Sequence, residues 1–253
     1  IHDVKTFFEF AGGESEITKE TLLAYKEWLL GRYAVSSANS MIAALNQFLS
    51  FQGLERLKLK RIRVQRADID QMEKMLTREE FRRLVRKARE DNRQQLAVMM
   101  ETMGATGVRV SELKFFCAEN VRSGMVRVWN KGKHRLVILP AALRKRLLLY
   151  MKKNNIRSGL IFRTRTGKAK NRSNIWKEMK MIAGRAEVSL RKVFPHNLRH
   201  LFARAFYKET KNMLNLADIL GHSSLEVTRI YASDGLNEWK KNIERVKLLE
   251  MAT

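Results

Sequence analysis

This sequence predicts a mainly α-helical chain of two domains, the second carrying a small antiparallel β-sheet. Three observations carry that expectation. Apolar residues recur at helical spacing through most of the 253 residues. Two short runs on either side of Lys131-Gly132-Lys133 read instead as strands. Between the helical regions, Arg56 to Arg66 holds six basic residues in eleven without Gly or Pro, and the chain is long enough for each side to bury its own core.

The elements follow in order. Val4, Phe7, Phe8 and Ala11 mark a first helix, which Gly12-Gly13 stops. Leu22, Leu23, Tyr25, Trp28, Leu29 and Leu30 form a second behind a Thr18 cap. Met41, Ile42, Leu45, Phe48 and Leu49 form a third that ends at Gly53. Thr77-Arg78-Glu79-Glu80 is a capping box, opening a helix that turns Phe81, Leu84 and Val85 inward. Leu96 to Met103 has the composition of a buried helix, its methionines packing rather than binding a metal. Val121–Trp129 and His134–Leu139 read as strands, with Lys131-Gly132-Lys133 as the turn between the second and third strands of the sheet and Pro140 ending it. Helices are expected over Ala142–Lys153, Ser173–Ala186, His196–Lys208, Leu216–Leu220 and Leu225–Tyr231.

Composition narrows the partner. Lys and Arg number 50 against 26 Asp and Glu, a formal charge of +24, which calls for a polyanion. By charge alone a ribosomal-type or RNA-binding protein fits equally. No apolar run reaches the length of a membrane span. Cys117 is the only cysteine, so there is neither an internal disulfide nor a Cys-based zinc site, and a reducing cytoplasm is the expected compartment. After Phe115-Phe116, that cysteine reads as a small buried hydrophobe. The chain shows no secretory signal and opens on Ile1 rather than Met, so its natural beginning is expected upstream.

The residue types that carry chemistry fall in the second domain. Thr106-Gly107-Val108-Arg109-Val110-Ser111-Glu112 comes first, and Asn130-Lys131-Gly132-Lys133 follows. His196-Asn197-Leu198-Arg199-His200, Leu220-Gly221-His222-Ser223-Ser224 and Tyr231, nine residues beyond His222, complete the series. Each alone is weak, because arginine is abundant here and most Gly-His pairs merely end a helix. In this order they resemble the active-site signature of the tyrosine recombinases, the phage-integrase and Xer family. The resemblance runs from Leu76 to about Ala232, and the helices before it match only in pattern. It implies a helical core-binding domain at 1–55, incomplete at its N-terminus, and a basic linker at 56–75. An α+β catalytic domain would follow at 76–253, with a C-terminal helix at 235–253.

Breaking a DNA phosphodiester without a metal needs a nucleophile, positive charge on the two non-bridging oxygens and an acid for the leaving 5′ oxygen. By resemblance Arg109 and Arg199 neutralise the oxygens, since a guanidinium stays charged and offers a planar fork. His196 lies on the same helical face as Arg199, and the resemblance gives it proton transfer or phosphate orientation. His222, after Gly221, donates to the phosphate. His200 is supporting and structural, and Glu112 pairs with or caps the segment that holds Arg109. The general acid is Lys131 in the hairpin turn, where Asn130 replaces the first glycine of the family's Gly-Lys-Gly, which leaves Lys133 as a competitor. Tyr231 is the nucleophile; Tyr25, Tyr33, Tyr150 and Tyr207 lack the Gly-His spacing and read as packing residues.

The implied activity is site-specific strand exchange through a 3′-phosphotyrosyl link, with no high-energy cofactor because the covalent bond conserves the energy, and with no metal, in agreement with the lack of an acidic cluster at metal-ligand spacing beside these groups. The implied partners are double-stranded recombination sites and three further copies of the chain, a tetramer exchanging C-terminal helices. In that helix Trp239, Ile243, Val246 and Leu249 or Glu250 follow helical steps. Arg56, Lys58, Lys60, Arg61, Arg63 and Arg66 are the candidate backbone contacts of the linker, unless the run is simply a solvated helix end. Two rivals stand beside this reading: a DNA-binding protein of the same fold without catalysis, and a type IB topoisomerase.

Overall fold

The computed structural model describes residues 2–12, 17–62, 75–130, 132–221 and 228. The chain divides into two units, Ile1–Arg66 and Ala67–Thr253.

In the first unit α1 (His2–Phe10), α2 (Lys19–Arg32) and α3 (Val35–Phe51) enclose a core of Phe7, Leu22, Tyr25, Leu29, Ile42 and Leu45. Thr18 caps α2 as its position predicts, its hydroxyl accepting from the Thr21 N–H at 3.2 Å. The Phe7 ring meets Tyr25 edge-on with centroids 5.1 Å apart. Beyond a 3₁₀ turn at Glu55–Leu57 the described part of the basic run, Lys58–Ile62, is not helical. Two asparagines on α3 hold it instead. The Asn46 amide accepts from Leu59 N–H at 2.8 Å and donates to Leu59 C=O at 2.9 Å. Asn39 binds Ile62 in the same way, at 2.8 and 3.0 Å. Seven residues apart, the two asparagines share one helical face. Leu59 is thereby buried, while Arg56, Lys58, Lys60 and Arg61 remain exposed. Arg63 and Arg66 lie outside the described residues.

The second unit opens with the capping box at Thr77. Its hydroxyl accepts from Glu80 N–H at 3.1 Å, and the Glu80 carboxylate accepts from Thr77 N–H at 2.8 Å. The helix so started is α4 (Arg78–Glu90). Next, α5 (Gln94–Thr106) is buried along most of its length, with Leu96, Met99, Met100 and Met103 fully inside. The methionines are therefore core, and four other helices pack around α5: α4, α7 (Ala141–Lys153), α8 (Arg172–Arg185) and α9 (Pro195–Thr210).

One expectation fails between α5 and α7. Val121 to Ser123 belong not to a strand but to a short helix, α6 (Ala118–Ser123), and the strand starts only at Met125. Gly124, left-handed at φ 80°, ends α6 and turns the chain into the sheet. Ala118 and Val121, three apart, are the buried side of that one turn, so a β-branched residue is serving a helix. Among the described residues the sheet has two strands rather than three, β1 (Met125–Asn130) and β2 (Lys133–Ile138), paired antiparallel from Met125–Ile138 to Asn130–Lys133. Val126, Val128 and Val137 face inward; Arg127, Trp129 and Leu136 face out. Cys117, at the N-cap of α6, is half-buried, and burial followed by the Glu119 charge raises its thiol pKa, which suits packing and not nucleophilic attack.

After α9 the chain forms α10 (Met213–Leu220) and ends it at Gly221, φ 64°. The expected helices over Leu225–Tyr231 and 235–253 lie outside the described residues, apart from Thr228.

Candidate active site

A single turn sets up the site. Gly107 ends α5 in the left-handed region, φ 66°. A Cβ there would stand 2.5 Å from the Phe202 ring of α9 and 2.8 Å from Leu220 of α10. Glycine is required on both counts, and its absent side chain lets three helices meet where the chain delivers Arg109. Arg109 is the N-cap of a 3₁₀ turn, Val110–Phe115, and Glu112 is its third residue. Glu112 accepts from the Arg109 backbone N–H at 2.8 Å and from Arg109 Nη1 at 3.1 Å. The carboxylate therefore fixes both ends of the arginine, by pairing and capping together.

Helix α9 brings the second pair. Pro195 sits in its first turn, where the missing N–H costs nothing, and His196 follows at once. Arg199, one turn on, is 1% exposed. Its Nη1 donates to Gly107 C=O and its Nη2 to Leu220 C=O, each at 2.7 Å. A side chain read from sequence as a phosphate ligand thus also binds the Arg109 turn to the end of α10. Surrounding protein lowers the His196 pKa, and the charges of Arg199 and Arg109 lower it further. The Arg199 bond to Gly107, two residues before Arg109, brings the two motifs together, and the lowered pKa favours a neutral imidazole near pH 7, able to take a proton. His200 packs its ring edge-on to His196, centroids 4.5 Å apart.

One member was missed by the sequence reading. Arg135 lies on β2, opposite Val128 on the buried side of the hairpin. Its Nη2 donates to Glu112 at 2.7 Å and its Nη1 to Ile219 C=O at 2.6 Å. Burial lowers its pKa, and Glu112 opposes that shift. The signal was available: Arg135 stands two residues before the inward Val137, so strand alternation puts a charge where an apolar residue belongs.

The structure brings Arg109, Glu112, His196, Arg199 and Arg135 together. Lys131, His222 and Tyr231 lie outside the described residues. Gly221, the residue before His222, lies against Arg135, and Asn130 and Gly132 are the described residues on either side of Lys131. Gly132, φ 75°, supplies the left-handed residue that a tight hairpin loop needs. Lys133 begins β2, paired with Asn130.

Residues 74–237 match the phage integrase family. The tyrosine recombinase XerA of Pyrococcus furiosus is 30% identical over 228 residues, which cover 86% of this chain and 77% of that one. XerA of Thermococcus kodakarensis is 32% identical over the same length, covering 86% and 78%. Among solved structures, a XerA recombinase aligns over 98% of this chain and 90% of its own with a TM-score of 0.59 and 23% identity. The Tn1549 transposon integrase in complex with transposon right-end DNA aligns over 96% and 91% with a TM-score of 0.72 and 14% identity. These structures share the fold.

Proposed function

The chain belongs to the phage integrase family of tyrosine recombinases, and from that premise we propose how its residues recombine DNA. Arg109 and Arg199 neutralise the non-bridging oxygens of the scissile phosphate, joined by a donor from His222. The Tyr231 hydroxyl attacks phosphorus, its proton passing to the neutral His196. The 5′ oxygen leaves with a proton from Lys131, and a 3′-phosphotyrosyl bond remains. A 5′ hydroxyl from the other duplex then attacks that bond, releasing the tyrosine and rejoining the strand. Bonds broken and formed are phosphate esters throughout, so no energy source is consumed. Glu112 and His200 support this set from behind.

The observation that carries the reading is the convergence of Arg109, His196 and Arg199 from two separated motifs, with Arg199 bonded to the residue just before Gly221-His222. The partner is double-stranded DNA, in keeping with the formal charge of +24. Arg56, Lys58, Lys60 and Arg61, exposed along the first unit, serve as sequence-independent phosphate contacts together with Arg63 and Arg66. By function, residues 1–55 are the core-binding domain, 56–75 the linker and 76–253 the catalytic domain. Among the described residues no helix is long and apolar enough to cross a membrane.

The test begins with the protein's own DNA site, recovered from random-sequence duplexes by repeated selection. A supercoiled plasmid carrying two such sites should recombine, whereas a plasmid with none should keep its supercoils. Relaxation of the site-free plasmid would make the enzyme a topoisomerase, and specific binding without strand exchange would make it a DNA-binding protein only.

Assembly is a tetramer on paired sites, with the segment from Gly235 docking on a neighbouring copy. Trp239, Ile243 and Val246 give that segment an apolar stripe, and it follows every residue assigned to chemistry. Deleting 235–253 should leave thermal unfolding and half-site binding near wild type while synapsis and recombination fail. Unfolding of the truncated protein would show that the segment packs on its own domain, and full recombination would remove the exchange.

A further inference from the structure

We propose that Arg135 is a positioning residue for DNA cleavage: it locks Glu112, and through it Arg109, to the end of α10 that leads into His222. The inference rests on Arg109 acting on the scissile phosphate, as proposed above.

Three segments far apart in sequence meet at this guanidinium. One Glu112 oxygen takes Arg109 Nη1, and the other takes both the Arg109 backbone N–H at 2.8 Å and Arg135 Nη2 at 2.7 Å. The second terminal nitrogen of Arg135 reaches Ile219 C=O at 2.6 Å, in the last turn of α10. Arg199 takes the next carbonyl, Leu220, at 2.7 Å. Two arginines from different elements thus satisfy the end of α10, where unpaired carbonyls carry the negative end of the helix dipole. Gly221 completes the fit. It is left-handed at φ 64°, and a Cβ on it would stand 2.6 Å from Arg135 Cδ. The arginine stem fills the space that the glycine leaves open.

Stability alone does not account for this arrangement. Glu112 is 1% exposed and the Arg135 side chain 11%, and a buried ion pair gains little over well-packed apolar residues of similar size. What a forked cation adds is direction. It has donors for both a carboxylate and a carbonyl, set at a fixed angle, so the carboxylate that aims Arg109 cannot move without moving the chain that enters His222. A lysine has no such fork. Because Arg135 also lies on the hairpin two residues beyond Lys133, the same bracket ties the turn bearing Lys131 to the arginines. The predicted consequence is that cleavage, more than binding, depends on Arg135, since a displacement of about 1 Å can slow a reaction about a hundredfold.

The test uses full-length protein and a nicked half-site duplex built on the selected site, in single-turnover cleavage. Arg135→Gln should bind the half-site within about threefold of wild type yet cleave about a hundredfold more slowly. Arg135→Lys should fall between. The deciding substrate replaces one non-bridging oxygen of the scissile phosphate by methyl, which removes the negative charge that a misplaced Arg109 fails to neutralise. On that duplex the Gln variant should come within about fivefold of wild type, because charge neutralisation is the step affected. An equal deficit on both substrates would mean that Arg135 serves only the fold, and no deficit on the ordinary phosphate would also overturn the proposal. If the Gln variant does not fold, the Lys variant carries the same comparison. Arg109→Ala is the control: if it cleaves at the wild-type rate, the assignment of Arg109 fails, whatever Arg135 does.

Discussion

Tyr231→Phe is expected to abolish the covalent protein–DNA adduct while half-site affinity stays within a few-fold of wild type. Only the hydroxyl is lost, and it is needed only for making the phosphotyrosyl bond. Affinity comes from many Lys and Arg contacts to phosphates, which the substitution leaves in place. The reactive form is scarce: with a pKa near 10, about one phenol in a thousand is ionised at neutral pH. The site compensates through the charges of Arg109 and Arg199 and a neutral His196 ready to accept the proton. Losing the nucleophile of such a set costs at least about a thousandfold. Two of the other tyrosines are poor substitutes. Tyr25 is fully buried with its pKa pushed up to about 12, chiefly by burial, and Tyr150 is buried in the other unit's core with its hydroxyl bonded to Gln95. The measurement is adduct yield on the nicked duplex, resolved on a denaturing gel. A comparable yield from the Phe variant would remove Tyr231 from the role.

Lys131→Ala is expected to slow cleavage by about 10²–10⁴-fold, the range for a lost general acid. Sulfur in place of the 5′-bridging oxygen should restore most of that rate, since a thiolate leaves without a proton. The hairpin offers a competitor two residues away. Lys133 opens β2 in register with Asn130, and Lys131 follows Asn130 in the sequence. The sulfur substrate separates them: rescue should appear with Lys131→Ala and not with Lys133→Ala. Rescue of the Lys133 variant alone would reassign the acid, and a rate defect that sulfur relieves in neither variant would place the acid elsewhere.

What the sequence by itself determined is local or chemical. The caps at Thr18 and Thr77 were legible because donor and acceptor are three residues apart, and nothing distant has to be known. The buried helix α5 followed from its apolar composition, and the pairing of Glu112 with Arg109 from its three-residue offset. The family followed from an ordered set of residue types. Val121 shows the limit of local reading, because a β-branched residue before Gly124 fits a strand or a helical turn equally well until packing with Ala118 chooses. Other decisions belonged wholly to the tertiary structure. Asn39 and Asn46 hold the basic segment through side-chain bonds to backbone 23 and 13 residues away. Arg199 became a buried brace between Gly107 and Leu220, and Arg135 joined the site through partners 23 and 84 residues away. A buried charge must find a partner or carry a large desolvation cost, so the presence of one on an inward strand position can be foreseen. Which distant group satisfies it cannot, because only the packing of the helices brings that group within hydrogen-bonding reach.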